Sequence, residues 1–181
     1  LEGIDACFSP GVDNFKNFED QLANQYGIKC HMCDFTSDLD KFRTPLVEGM
    51  QTFKKKWLDV DGSNDSISLK EWVEELSLDV DKDLILQIDI EGAEYRNLLA
   101  ADSSTLERFR IIVIELHGLG KFKSPEIFSK EVGPLLAKLN KTHVPIHAHP
   151  NNCCGDAIDP ETGLNIPSVI EMTYLRRDRF K

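Results

Sequence analysis

Two short, continuous, β-branched runs constrain this chain more than anything else in it: Asp83-Leu-Ile-Leu-Gln-Ile-Asp89 and Arg110-Ile-Ile-Val-Ile-Glu-Leu116. Unbroken apolar runs of this length are the mark of strands buried on both faces, the usual state in a parallel sheet. Between them, Tyr95 to Phe109 places Leu98, Leu99, Leu106 and Phe109 at apolar positions, with Asp102-Ser103-Ser104 as a break or second cap. Strand, helix, strand at this spacing is a βαβ unit, whose crossover is right-handed. Upstream, Asn17 to Tyr26 sets Phe18, Leu22 and Tyr26 on one helical face, and Gly27 stops the helix. Ile4 to Phe8 before it and Ile28 to Cys33 after it read as strands. Ser68 to Leu76 is a helix with Ser68 as N-cap, Glu71 at the capping-box position and Leu69, Trp72, Val73 and Leu76 inward. A further helix is expected from Pro125 to Leu139, then strands at His143 to His149 and Val169 to Arg176. Alternating helices and strands predict an α/β fold with a mostly parallel sheet.

With 181 residues, no internal repeat and no dividing linker, one domain spanning 1–181 is expected, with an N-terminal portion expected ahead of Leu1. The net charge of −10 opposes nonspecific binding to nucleic-acid phosphates, so no nucleic-acid partner is expected. The apolar runs fall far short of the roughly 20 residues a membrane span needs. No charged-then-apolar leader opens the chain, and an odd count of five cysteines does not make a secreted disulfide framework. A reducing cytoplasm is therefore expected. Cys30-His31-Met32-Cys33 has zinc-like spacing, but residues i and i+3 on a strand face opposite ways, so both cysteines read as packing. The adjacent Cys153 and Cys154 do not readily bridge to each other.

Ligands of such sheets bind beyond the carboxyl ends of the strands. Ser9-Pro10-Gly11-Val12-Asp13-Asn14 leaves the first, a turn that either admits a ligand to backbone N–H groups or simply joins strand to helix. Asp34 leaves the second, placed to accept two ribose hydroxyls or to cap a helix. Asp89-Ile90-Glu91-Gly92-Ala93-Glu94 follows the third: three carboxylates at the mouth of a buried strand repel unless a cation, a metal, shared protons or open water relieves them. His117 leaves the fourth, where its ordinary pKa suits a general base. His147 and His149 share a strand face beyond it, either as a metal pair or as a polar cluster on the rim.

In these positions the chain resembles the FkbM family of S-adenosylmethionine-dependent methyltransferases. The resemblance rests on Leu84-Ile-Leu-Gln-Ile-Asp-Ile-Glu-Gly-Ala-Glu-Tyr95, Leu98-Leu99 and Arg110-Ile-Ile-Val-Ile-Glu-Leu-His117. Phe8-Ser-Pro-Gly-Val-Asp13, Ile67-Ser-Leu-Lys-Glu-Trp72 and His147-x-His-Pro-Asn-Asn152 also fit, as do Ile166-Pro167 and Glu171-x-Thr173. It implies a Rossmann-like seven-stranded sheet, mostly parallel with an antiparallel last strand at Ser168 to Arg176, and helices on both faces. It implies S-adenosylmethionine as cofactor, along Ser9, Gly11 and Asp13 and held at the ribose by Asp34. It further implies Asp89 or His117 as the proton-removing base, with Glu91, Glu94, His149 and Asn151 shaping the site of a small-molecule or glycan hydroxyl acceptor. No resident metal is assigned.

Two alternatives stand beside this. Asp59 to Glu71 looks like an EF-hand loop for calcium, but from Asp59 position 6 is Asn64 and position 12 is Lys70, where glycine and glutamate are required. A carboxylate and histidine metalloenzyme on the same sheet would use Asp89, Glu91, His117 and His149.

Overall fold

The computed structural model describes residues 1–76, 79–151 and 154–180, with backbone alone at 121 and 122. Asn152 and Cys153, noted above, lie outside the described residues. The strands are β1 (Ile4–Pro10), β2 (Lys29–Cys33), β3 (Gln51–Lys54), β4 (Trp57–Leu58), β5 (Ser66–Ile67), β6 (Asp83–Ile88), β7 (Phe109–His117), β8 (His143–Pro150), β9 (Asp156–Ile158), β10 (Asn165–Pro167) and β11 (Val169–Arg176). Seven of them form one sheet in the order β3-β2-β1-β6-β7-β11-β8, and β4-β5 and β9-β10 are separate pairs. β11 runs antiparallel to both β7 and β8, while the remaining pairings in the main sheet are parallel. The chain winds from β1 out to β3, then returns past β1 to β6, so the direction of winding reverses between β1 and β6.

The helices are α1 (Asn17–Tyr26), α2 (Leu69–Glu75), α3 (Glu94–Ala100), α4 (Ser103–Glu107), α5 (Pro125–Ile127) and α6 (Gly133–Thr142). Leu22 of α1 packs with Cys7, Ile28, Cys30 and Ile85 on one face of the sheet. The other face carries the larger core, in which Trp72, Tyr95, Leu98, Leu106, Leu135 and Leu139 cover Phe8, Leu84, Leu86, Ile88, Ile112 and Ile114. Cys30 and Cys33 thus fall in different cores on opposite faces, as strand alternation requires.

The local signals operate as read. Gly27 ends α1 at φ 65°, and Ser68 and Glu71 form a reciprocal capping box. The Asp102 carboxylate accepts from Thr105 N at 2.7 Å, and that cap divides the Tyr95 to Phe109 segment into α3 and α4. The expected Pro125 to Leu139 helix is instead α5, a π-helical turn at Phe128–Val132 and then α6. Pro134 has no N–H for the i−4 carbonyl, and the widened turn precedes it directly. β3 was not anticipated: its four residues are too few to show a period. No helix among the described residues is long and apolar enough to cross a membrane.

Candidate active site

A cavity of about 460 Å³ opens beyond the carboxyl ends of β1, β2 and β6, at the point where the winding reverses; Gly11, Asp13, Asp34, Asp89 and Glu91 are in its wall. This is the position where open α/β sheets bind ligands. Lys56, Trp57, Leu58, Ile90 and Arg96 also line it. Trp57 stacks on Phe35 with ring centroids 5.3 Å apart, and Arg96 grips Asp59 through Nε at 3.0 Å and Nη2 at 2.9 Å.

Each loop at the cavity is fixed by its own polar side chains. Asp34 Oδ1 accepts from the Thr36 backbone N–H and hydroxyl, and Oδ2 from Asp13 N and the Ser37 hydroxyl. Burial opposes its ionisation, but these bonds outweigh burial and hold the carboxyl below its ordinary pKa. They lace the loop after β1 to the loop after β2, helped by Asn14 N to the Ser37 hydroxyl and Asp38 N to Asn14 Oδ1. Asp13 and Asn14 are left-handed at φ 41° and 59°, a conformation Asp and Asn tolerate better than most residues. Ser9, expected along the cofactor, is fully buried and outside the cavity wall; its hydroxyl meets Glu19 Oε1 and Gln87 Oε1.

The loop after β6 is shaped by Glu94. Its Oε1 accepts from Ile90 N at 2.9 Å and Gly92 N at 3.1 Å, curling the chain so that Glu91, at φ 55°, is thrust outward with an 88% exposed side chain. The same Oε1 lies 3.1 Å from His117 Nδ1. On the far side of the imidazole, Nε2 has Glu91 Oε2 at 3.5 Å, Glu115 Oε1 at 3.7 Å and Asp89 Oδ1 at 3.8 Å. The Glu94 hydrogen bond, then the surrounding acids, push the His117 pKa up to about 9. Burial, followed by Glu115, pushes Asp89 up to about 7 despite the opposing pull of His117. These shifts favour the protonated imidazole and bring the titration of Asp89 toward neutrality.

Asn151 joins this cluster by donating to Glu115 Oε1 at 3.0 Å. His149 does not: it is exposed on β8, opposite Glu171 of β11, which is opposite Glu115, so two strand spacings (roughly 10 Å) separate it from β7. The apparent calcium loop is otherwise engaged, Asp59 with Arg96 and Glu71 with the Ser68 cap. The Lys56, Trp57 and Arg96 wall was missed. Its one signal was Lys54-Lys55-Lys56-Trp57, a basic run ending in an exposed aromatic within an acidic chain.

Sheet order and cavity position define a Rossmann-like α/β protein with its ligand site where the winding reverses. Among solved structures, the fibrillarin/Nop5p complex is similar in fold, with a TM-score of 0.53 at 9% identity, covering 97% of this chain and 74% of that one. Precorrin-6y C5,15-methyltransferase from Geobacter metallireducens also matches, with a TM-score of 0.48 at 13% identity, covering 97% of this chain and 82% of that one. No curated protein matches the sequence. The methyltransferase FkbM domain matches residues 24–150, more than half of the chain, and the chain belongs to that family. Family and fold imply S-adenosylmethionine as methyl donor. The residues present fit it: the cavity lies within the roughly 300–1,000 Å³ usual for small ligands, with carboxylates on one wall and Trp57, Leu58 and Ile90 as apolar cover.

Proposed function

We propose that this domain O-methylates a hydroxyl of a small molecule or glycan. The observation that carries the reading is the junction at Asp89, which lines the cofactor-sized cavity and also belongs to the acid and histidine cluster beside it. When bound, S-adenosylmethionine supplies a methyl group on a positively charged sulfur. Gly11 and Asp13 bound its amino-acid end, and Ser9 holds the end of β1 from beneath. Asp34 takes the ribose, where a sugar hydroxyl competes with the Thr36 hydroxyl, the donor to Asp34 that lines the cavity. Trp57 and Leu58 offer apolar surface to a base.

Methyl transfer is an in-line displacement, so the chain's task is to place the acceptor oxygen and receive its proton. Asp89 takes that proton, and protonated His117 stays between Glu94 and Asp89 to balance their charge. Glu91, Glu94 and Asn151 shape the acceptor side, with His149 at its outer edge. The test titrates S-adenosylhomocysteine calorimetrically into chelator-treated protein, then measures its formation from S-adenosylmethionine with phenols, polyols and oligosaccharides. We expect micromolar binding in the wild type. The pair of changes His117→Ala and Asp89→Asn should abolish turnover yet leave that binding within about twofold, since neither side chain is assigned to the cofactor. Full turnover in the double variant places the base elsewhere, and absence of nucleoside binding removes the reading.

A further inference from the structure

We propose that Asp89, Glu94 and His117 form a binding site for a divalent transition-metal ion, of which Mn²⁺ is the best match. One ligand atom from each lies within 4.8 Å of the others, so small side-chain adjustments bring all three onto a single ion with bonds of about 2.0–2.2 Å. Proximity of acids alone would be weak ground, but two of their oxygens are buried without a partner. Glu94 is 0% exposed, and although its Oε1 is fully used, its Oε2 has no hydrogen bond. Asp89 Oδ1 is likewise buried without a hydrogen bond, with His117 Nε2 3.8 Å away. A buried carboxylate oxygen that no protein donor reaches is costly unless a cation faces it.

Charge points the same way. Asp89, Glu91, Glu94 and Glu115 surround one imidazole, and among the described residues no Lys or Arg forms an ion pair with any of them. One histidine proton cannot balance that set. An imidazole nitrogen among the ligands selects against Mg²⁺ and Ca²⁺, which favour all-oxygen sets, while carboxylates with one imidazole suit Mn²⁺ and, in competition, Zn²⁺.

The purpose of the site rests on the methyl-transfer reading above, whereas its existence does not. An ion beside the Asp89 wall supplies positive charge that favours the ionised form of an acceptor hydroxyl. The hydroxyl proton then passes to water, the oxygen lone pair forms the new O–C bond, and the C–S electron pair returns to sulfur, leaving a neutral thioether. With the ion present His117 binds as the neutral imidazole, releasing the proton it otherwise carries; the three side chains then act as ligands, and the acceptor's proton goes to water in place of Asp89.

The experiment titrates Mn²⁺ into chelator-treated protein, without nucleoside, by calorimetry and by loss of the free-ion electron spin resonance signal. One equivalent should bind with micromolar affinity, and Ca²⁺ should bind more weakly. Glu94→Gln should weaken binding at least about tenfold. Because Glu94 also holds two backbone N–H groups, Asp89→Asn is the second variant: no hydrogen bond to its Oδ1 is lost, and the same tenfold loss is expected. Absence of Mn²⁺ and Zn²⁺ binding in the millimolar range overturns the site, as does undiminished affinity in folded Asp89→Asn or tighter binding of Ca²⁺. S-adenosylhomocysteine, titrated separately in chelator, reports on the cofactor site alone, so failure of the metal site and failure of the methyltransferase reading give different results.

Discussion

At Gly11 the backbone φ is 84°, and a Cβ placed there would sit 1.6 Å from Asp89 O and 2.8 Å from Asp89 C. Both facts make glycine the residue for this position: the first because L side chains avoid that region, the second because β1 and β6 end against each other with no space between. Gly11 N also donates to Cys33 O at 2.9 Å, so one residue joins the ends of three strands. Gly11→Ala should destabilise the fold by roughly 2–5 kcal/mol, combining backbone strain with a main-chain clash. Urea unfolding checks this, and a loss below about 0.5 kcal/mol would show that the loop relaxes freely. The sequence displayed Gly11, Asp34, Asp89, Glu91, Glu94 and His117, because each follows a strand whose end can be located from its apolar run. It could not display that Glu94 curls its own loop, nor that Lys56, Trp57 and Arg96 come to line the same cavity. Those contacts depend on where β4 and α3 come to rest, which no local pattern encodes.

Among the elements, legibility followed length and burial. β6 and β7 are buried on the face that α2, α3 and α6 cover, and their apolar runs predicted them to within a residue or two. β3, β4 and β5 are too short for periodicity, and their pairing is decided by neighbours. The junction of α6 with β8 gives a prediction at this scale. His143 is fully buried there, its Nε2 donating to Phe109 O at 2.8 Å and its Nδ1 2.8 Å from the Thr142 hydroxyl. Burial holds its pKa below the ordinary value, so in the window beneath about 6.5 the folded chain binds fewer protons than the unfolded one. Stability supplied by the neutral ring is therefore present above that window and lost as pH falls through it. His143→Gln keeps a donor for Phe109 O but cannot titrate. Between about pH 7.5 and 5.5 the wild type should lose more stability than this variant, by no more than about 1.4 kcal/mol per pH unit for one proton. Asp89, whose pKa is raised, contributes a slope of the opposite sign to both proteins and cancels in the difference. Parallel curves would show that His143 takes up its proton in the folded chain as readily as in the unfolded one.

For the molecule as a whole, the two ends of the sheet treat charge in opposite ways. At the amino end of β6, buried Asp83 meets Arg110, Arg176 and Arg179 at 3.2, 2.6 and 2.9 Å, a compensated cluster tying β6 to β7, to β11 and to the segment after it. At the carboxyl end, Asp89 and Glu94 keep buried oxygens without hydrogen bonds. The first arrangement suits anchoring and the second suits a ligand, which is where the free energy of binding should appear as stability of the entire chain. The cavity draws its walls from the ends of β1, β2 and β6 and from α3, so a nucleoside bound there has no equivalent site in the unfolded chain. At about one hundred times its Kd, S-adenosylhomocysteine should add about 2.7 kcal/mol. For a chain of this length that raises Tm by about 5–11 °C, as one transition rather than two. If Asp34 carries the ribose, Asp34→Ala weakens binding about tenfold, and the same ligand concentration then adds only about 1.4 kcal/mol, halving the shift. The loop bonds that Asp34→Ala also removes lower Tm in the absence of ligand, so calorimetric scans with and without S-adenosylhomocysteine separate the two effects. A ligand-induced shift equal to that of the wild type would leave Asp34 as a loop anchor alone.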